Sequence, residues 1–511
     1  IARKRNRGDL PMNFTTALTN NIGRTFTFAF VKNRYNYKGV ADTYDPITFF
    51  IGALKTENPF KIMMELEGFA YKRALENIHR YEIPYTPEQE RKARIFHDVT
   101  TKMQKYRSDY IKEYIDTDDL KETGIVLIKE PYFLTTQSTI YVAKKLKGIP
   151  KNLLTTNTFY RNKLPQTIKP ETEQYEAIKH CLNEKISCLI GGAGTGKSFV
   201  TATIIDQLKH NELDVVVLAP THKAREALQD KLDQASVRAN VRTIHSFVHN
   251  PEHAHAIVVD EAGMLSTPLL EKLLSHYVVN QQYIFIGDKN QIPPVEYGRP
   301  FEKIQELFPT FELKQNHRSE SADIIALGRE ILGKPQNANM NHPNIEVVAT
   351  SQEAFKRGAQ VALSFTNRNV QQTNEEQRIK NGKPSISPKM SVGDIIIAKT
   401  NNRERGYFNG QIFELITPNK ALKKGGSKII TFKTSKDLEY NFDLAYGLTI
   451  HKSQGSEWEV VAYQPSDQDT KNLAYVAVTR AKKRLIIIGD ELKSEYKEEQ
   501  QWRHLDEINC I

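Results

Sequence analysis

The sequence predicts an α/β protein with two parallel-sheet domains, a small all-β insertion and an additional N-terminal domain. Three observations predict it. From Ile186 onward, short apolar runs alternate with helical patterns, as buried parallel strands joined by helices do. The alternation occurs in two series, and the second is interrupted by strand-like runs separated by turns. Residues 1–165 carry neither texture, and a chain of 511 residues is several times the usual single-domain size.

Taken in order, the N-terminal part mixes aromatics with basic residues (Phe26, Phe28, Phe30, Lys32, Arg34, Tyr35, Tyr37, Lys38), and alternation over Thr25 to Val31 predicts a strand. Glu88 to Tyr114 is charged with apolar residues at helical spacing, which predicts one or two amphipathic helices. Such a mixture suits stacking on a single strand, although core packing and solvated surface account for the same residues. A first α/β domain is expected over 166–310, with strands at Cys188 to Ile190, Val215 to Leu218, Ile257 to Val259 and Tyr283 to Ile286. A second is expected over 311–390 and 442–495, with strands at Gln360 to Phe365 and Leu485 to Ile488. Between its halves, 391–441 forms the insertion: runs at Ile395 to Ala398, Gln411 to Ile416 and Lys428 to Phe432 alternate with turns at Asn409-Gly410 and Gly425-Gly426. Residues 496–511 are expected to be a tail.

Composition narrows the function classes. Hydrophobic residues make up 39% and charged residues 26%, and no apolar run reaches about 18 residues, which argues against a membrane span and against a largely disordered chain. Lysine and arginine outnumber aspartate and glutamate by 71 to 61, a formal charge of +10 that attracts polyanions. The three cysteines, Cys181, Cys188 and Cys510, lack paired CxxC spacing, so structural zinc and disulfides are not expected. The basic start (Arg3, Lys4, Arg5, Arg7) lacks a following apolar stretch, which argues for an intracellular, reducing compartment. A first residue of Ile rather than Met leads us to expect that the chain continues upstream.

The chemistry begins at Gly191-Gly192-Ala193-Gly194-Thr195-Gly196-Lys197-Ser198, which fits GxxxxGK[ST] between an apolar run and the helical pattern Phe199 to Lys209. Glycines let backbone N–H groups close around phosphates at a helix N-terminus, a lysine reaches the outer phosphates and a hydroxyl can ligate Mg²⁺. A chance match in a chain of this length is roughly a one per cent event at average residue usage. Ile257-Val258-Val259-Asp260-Glu261 supplies the complement. Alone, a carboxylate pair after a strand is an ordinary turn; after a phosphate loop, Asp260 is expected to hold Mg²⁺ and Glu261 to orient and deprotonate water. ATP and Mg²⁺ are therefore the expected cofactors.

An ordered set of further motifs resembles the superfamily 1 helicases, most closely the RecD-like and Dda-like members of the 1B branch, across roughly Glu171 to Asp490. It comprises Thr172-Glu173-Gln174, Ala219-Pro220-Thr221-His222-Lys223-Ala224, Thr243-Ile244-His245-Ser246, Gly287-Asp288-Lys289-Asn290-Gln291-Ile292-Pro293-Pro294-Val295, Asn316-His317-Arg318-Ser319, Leu448-Thr449-Ile450-His451-Lys452-Ser453-Gln454-Gly455-Ser456-Glu457-Trp458 and Tyr475-Val476-Ala477-Val478-Thr479-Arg480-Ala481. The resemblance implies two RecA-like P-loop domains, with the insertion as an SH3-like domain. It implies Gln174 at the adenine, Gly455 and Glu457 also at the nucleotide, and Gln291 sensing the γ-phosphate. Arg318 and Arg480 would stabilise the charge of phosphoryl transfer, as guanidinium groups do. Thr221, His222, Lys223, Thr243, His245, Asn367, Thr449 and His451 match positions that contact a single strand, although each equally suits a turn or helix cap.

The expected function is thus ATP-driven 5′ to 3′ movement on single-stranded DNA with unwinding of forked or tailed duplex; the polarity comes from resemblance alone. One departure matters: the family's strand-splitting pin lies between the Thr243 and Asp260 motifs, where this chain has only Phe247 to Ala256. A translocase that strips proteins without unwinding, an RNA helicase, and a recruiting subunit with a secondary ATPase remain alternatives. Replication, recombination and repair are all compatible, and the N-terminal domain is the expected contact for replication or recombination proteins.

Overall fold

The computed structural model describes residues 58–66, 71–80, 83, 85–129, 133–149, 169, 172–278, 281–317, 321–333, 343–383, 389–402, 404–489, 496–497 and 502–504. The strand expected at Thr25 to Val31 and the candidate Arg318 lie outside these residues.

The N-terminal part is a helical layer on a small sheet. Its long helix, Pro87–Lys105, starts where the sequence signals a start: Thr86 accepts from the Gln89 N–H, the Gln89 side chain accepts from the Thr86 N–H, and proline fills the first turn. The helical reading of Glu88 to Tyr114 is right only to Lys105. Arg107 turns the chain with a φ of 51°, and the rest enters an antiparallel sheet of β1 (Ile111–Lys112), β2 (Ile125–Lys129) and β3 (Phe133–Thr136), ordered β1-β3-β2. This layer is not free-standing. Val142 and Leu146 of helix Gln137–Gly148 share a core with Ile186, Cys188 and Leu270, and Tyr297 packs among Val99, Met103 and Leu134.

Six strands follow: β4 (Ile186–Gly191), β5 (Val215–Ala219), β6 (Asn240–Thr243), β7 (Ala256–Val259), β8 (Gln282–Gly287) and β9 (Thr310–Leu313). They form one all-parallel sheet ordered β6-β5-β7-β8-β4-β9, with helices covering both faces in two apolar layers. Strand β9 corrects the expected boundary at 310/311: Cys188 to Gly191 pair with Thr310 to Leu313, so the first sheet ends after Leu313.

A second parallel sheet begins with β10 (Ile345–Val348) and β11 (Val361–Ser364). The chain leaves it to build an antiparallel sheet, β12 (Ile395–Ala398), β13 (Ile412–Thr417), β14 (Lys420–Lys423), β15 (Ile429–Thr431) and β16 (Phe442–Leu444), ordered β15-β14-β13-β12-β16 around Tyr407, Phe413 and Phe442. It then returns with β17 (Gly447–Thr449), β18 (Trp458–Gln464) and β19 (Ala481–Ile488), giving the order β10-β19-β18-β11-β17. The α/β class with two parallel sheets and an all-β insertion is therefore the architecture. The insertion ends later than expected, since Phe442 to Leu444 pair with β12.

Candidate nucleotide cleft

The phosphate loop joins the end of β4 to helix Lys197–His210. Gly194 and Gly196 have φ of 78° and 82°, a left-handed geometry glycine adopts without strain. At Gly196 the requirement is doubled, because an added Cβ would lie 2.6 Å from Gln174 Nε2. That crowding also places Gln174 against the loop. Lys197 Nζ folds back and donates to the carbonyls of Gly191 and, at 2.9 Å, Gly192.

Asp260 and Glu261 follow β7, which β8 separates from β4 in the sheet order. Burial first, and the Glu261 charge second, push the Asp260 carboxyl up to about 6, against the pull of Lys231 and Lys197. Asp288, after β8, accepts from the Asn290 N–H at 2.9 Å, a turn that presents Gln291 to the cleft.

The second sheet closes the site from the other side. A cavity of about 960 Å³ is lined by Gly192 to Ser198, Asp260, Glu261 and Gln291 from the first sheet, and by Gly455, Glu457 and Arg480 from the second. Arg480 is buried and donates to the carbonyls of Ser456 (3.2 Å) and Val476 (3.3 Å). Gly455, with a φ of 72°, approaches helix His222–Gln234 so closely that a Cβ would lie 3.4 Å from the Ala224 nitrogen. From the segment preceding Arg318, the His317 N–H donates to the Gly194 carbonyl at 2.9 Å, and its side chain lines the cavity. Among the described nucleotide candidates, Gly192 to Ser198, Asp260, Glu261, Gln291, Gly455, Glu457 and Arg480 thus line one cleft, with Gln174 against its loop.

The strand-contact candidates hold several local roles. Thr221, Thr243 and Thr449 each cap a helix, their hydroxyls accepting from the N–H groups of Ala224, Ser246 and Lys452. His245, Asn367 and His451 are exposed. His222 stacks on Phe408 of the insertion, ring centroids 4.2 Å apart. Lys223 lines the nucleotide cavity and donates to the Lys452 carbonyl at 2.7 Å; burial, with a contribution from Arg480, lowers its pKa to about 7. Between Phe247 and Ala256 the chain completes helix Ile244–His249 and runs irregularly into β7, with no hairpin.

Two site residues, Tyr475 and Asp288, carry no role in the sequence reading. Tyr475 reaches across the cleft to accept from the Ala193 N–H and donate to Asp288 Oδ2, both at 2.9 Å. Both residues stand inside motifs, but nothing local to either announces the pairing.

Two family models match the chain, an AAA domain over residues 169–380 and a UvrD-like helicase C-terminal domain over 444–488. The ATP-dependent RecD2 DNA helicase of Deinococcus radiodurans is 26% identical over 361 residues, covering 62% of this chain and 48% of that protein. The RecBCD enzyme subunit RecD of Mycolicibacterium smegmatis is 26% identical over 400 residues, covering 62% of this chain and 71% of its own. The chain thus spans about half the length of the first relative. Among solved structures, Pif1 helicase from Candida albicans is 18% identical with a TM-score of 0.43, covering 65% of this chain and 97% of that one. Both matched regions fall on the two parallel sheets that bound the cleft, and the chain is similar over them to RecD-type helicases of superfamily 1B.

Proposed function

We propose that the chain is an ATP-driven motor that moves 5′ to 3′ along single-stranded DNA and unwinds tailed or forked duplex. The observation that carries this reading is that one cleft is lined by a phosphate loop on the first sheet and by Gly455, Glu457 and Arg480 on the second. Hydrolysis in such a cleft depends on how the two domains sit, and so pushes them.

The chain's own groups divide the work. N–H groups of Ala193 to Ser198 receive the phosphates, and Lys197 leaves the loop carbonyls to meet their outer oxygens. Glu261 orients the attacking water and takes its proton; Arg480, with Arg318, offsets the charge developing on the transferred phosphoryl group. Ser198 and Asp260 suit Mg²⁺, one hydroxyl and one carboxylate on an open cleft fitting an ion that keeps several waters. Bound there, Mg²⁺ would neutralise phosphate charge. Thr221, His222, Lys223, Thr243, His245, Asn367, Thr449 and His451 remain the strand-contact candidates, the three threonines also serving as helix caps.

Directional unwinding tests the reading. A duplex with a 5′ single-stranded tail should be opened in the presence of ATP, and its 3′-tailed counterpart left intact. The missing hairpin at 247–256 favours a second reading, translocation without unwinding. Strong DNA-stimulated hydrolysis with neither duplex opened would select it.

A further inference from the structure

The contact made by Tyr475 lies outside the division of labour just described. Its side chain comes from helix Lys471–Thr479 of the second sheet's layer, is 3% exposed, and ends between two groups of the first domain. One is the Ala193 N–H, a donor of the phosphate loop; the other is the Asp288 carboxylate. The loop is shaped for this visitor, since a Cβ on Gly192 would lie 3.0 Å from the hydroxyl. The phenol cannot lose its proton to become a competing anion, because burial first and the Asp288 charge second hold its pKa well above the ordinary value. The helix that carries Tyr475 ends at Arg480, so whatever moves one moves the other.

We propose that Tyr475 is a positioning residue that latches the cleft by occupying a phosphate-loop donor, for which a nucleoside triphosphate must compete. The inference rests on the reading of the loop as a nucleotide site. A phosphate oxygen is the stronger partner for the Ala193 N–H, because charge-assisted hydrogen bonds are roughly twice as strong as neutral ones. Binding therefore breaks the latch, and breaking it weakens binding. Once released, the tyrosine no longer ties the end of the Arg480 helix to the first domain, and the guanidinium is free to leave the Ser456 and Val476 carbonyls for the nucleotide.

The test is calorimetric titration of the full chain with Mg²⁺ and the slowly hydrolysed analogue ATPγS, or with ADP. Tyr475→Phe keeps the ring and removes the hydroxyl. It should bind ATPγS about three- to tenfold tighter than the parent, the equivalent of one modest hydrogen bond. The KM for ATP without DNA should fall by a similar factor, a change that mere loosening of the helix would not produce. If Tyr475→Phe does not fold, Tyr475→Leu removes the same hydroxyl and is judged by the same criterion. Equal or weaker ATPγS binding by the folded variant overturns the latch while the nucleotide site stands. If the parent binds neither nucleotide, the nucleotide reading falls and takes the latch with it.

Discussion

Glu261 sits in a backbone conformation that residues with a side chain avoid: its φ is 53°, against a cost of about 1–3 kcal/mol for such strain. Strain of this kind persists where surrounding structure imposes it, here between the buried end of β7 and the short turn Ala262–Met264. Glu261→Gln keeps the shape and removes the basic oxygen, so nucleotide should still bind while hydrolysis slows about 10²- to 10⁴-fold. Single-turnover hydrolysis measured alongside nucleotide affinity checks this, and parent-like turnover would take the proton-accepting role from Glu261. These residues were legible because their chemistry is written in contiguous spacing: a glycine loop must precede its helix, and a carboxylate pair must end its strand. Tyr475 was not legible, because its partners lie 282 and 187 residues away and only the closed fold brings them together. Nor does the motif around Lys223 announce that its Nζ reaches the Lys452 carbonyl and the Trp458 ring of the second domain.

Helix His222–Gln234 meets the insertion along one side, and that contact decides how the cleft is roofed. Phe408 stacks on His222 and lies 5.6 Å from the Arg225 guanidinium, while Glu226 pairs with Lys423 at 3.3 Å and accepts from Gln411. The aromatic contact contributes about 0.5–1.5 kcal/mol beyond area burial, and the half-buried ion pair less. Phe408→Ala should therefore loosen the docking without unfolding the insertion, whose core of Tyr407, Phe413 and Phe442 does not include it. Hydrogen exchange should rise at the start of the helix and around Phe408 to Gln411, with β13 and β16 unchanged; unchanged exchange at both places would assign the docking to Glu226. The insertion was visible in the sequence because antiparallel hairpins alternate and carry Gly turns. Its ends were not, because β16 is a three-residue strand whose pattern, Phe442-Asp443-Leu444, is indistinguishable from a loop. Strand β9 was misassigned for a related reason: pairing with β4, not local texture, makes it part of the first sheet.

Across the whole molecule, the last described residues act as a strap. The Lys471 N–H donates to the Lys497 carbonyl in the second domain, while the Arg503 N–H donates to the Arg107 carbonyl and Trp502 Nε1 donates to Asp109 Oδ1 in the N-terminal layer. His504 completes the link, with Nδ1 3.1 Å from Asp109 Oδ2 and Nε2 3.7 Å from Glu302 of helix Pro300–Leu307 in the first domain. Nothing in the sequence of a short polar tail signals that it joins three units, which is why only a tail was expected. Burial alone would lower the pKa of His504, but hydrogen bonds to Asp109 and Glu302 outweigh it and raise the value from 6.5 to about 10. A raised folded-state pKa means that the imidazolium stabilises the fold fully below the unfolded value of 6.5 and progressively less as pH rises to about 10. The contribution is of the order of a few kcal/mol at most. His504→Gln retains hydrogen bonding but cannot carry the charge. The melting temperature should therefore fall by a few degrees relative to the parent at about pH 6, and the gap should narrow through the alkaline range and vanish near the folded pKa. A gap that stays constant with pH would mean that His504 holds the strap by packing alone, leaving the junction of the three units insensitive to protons.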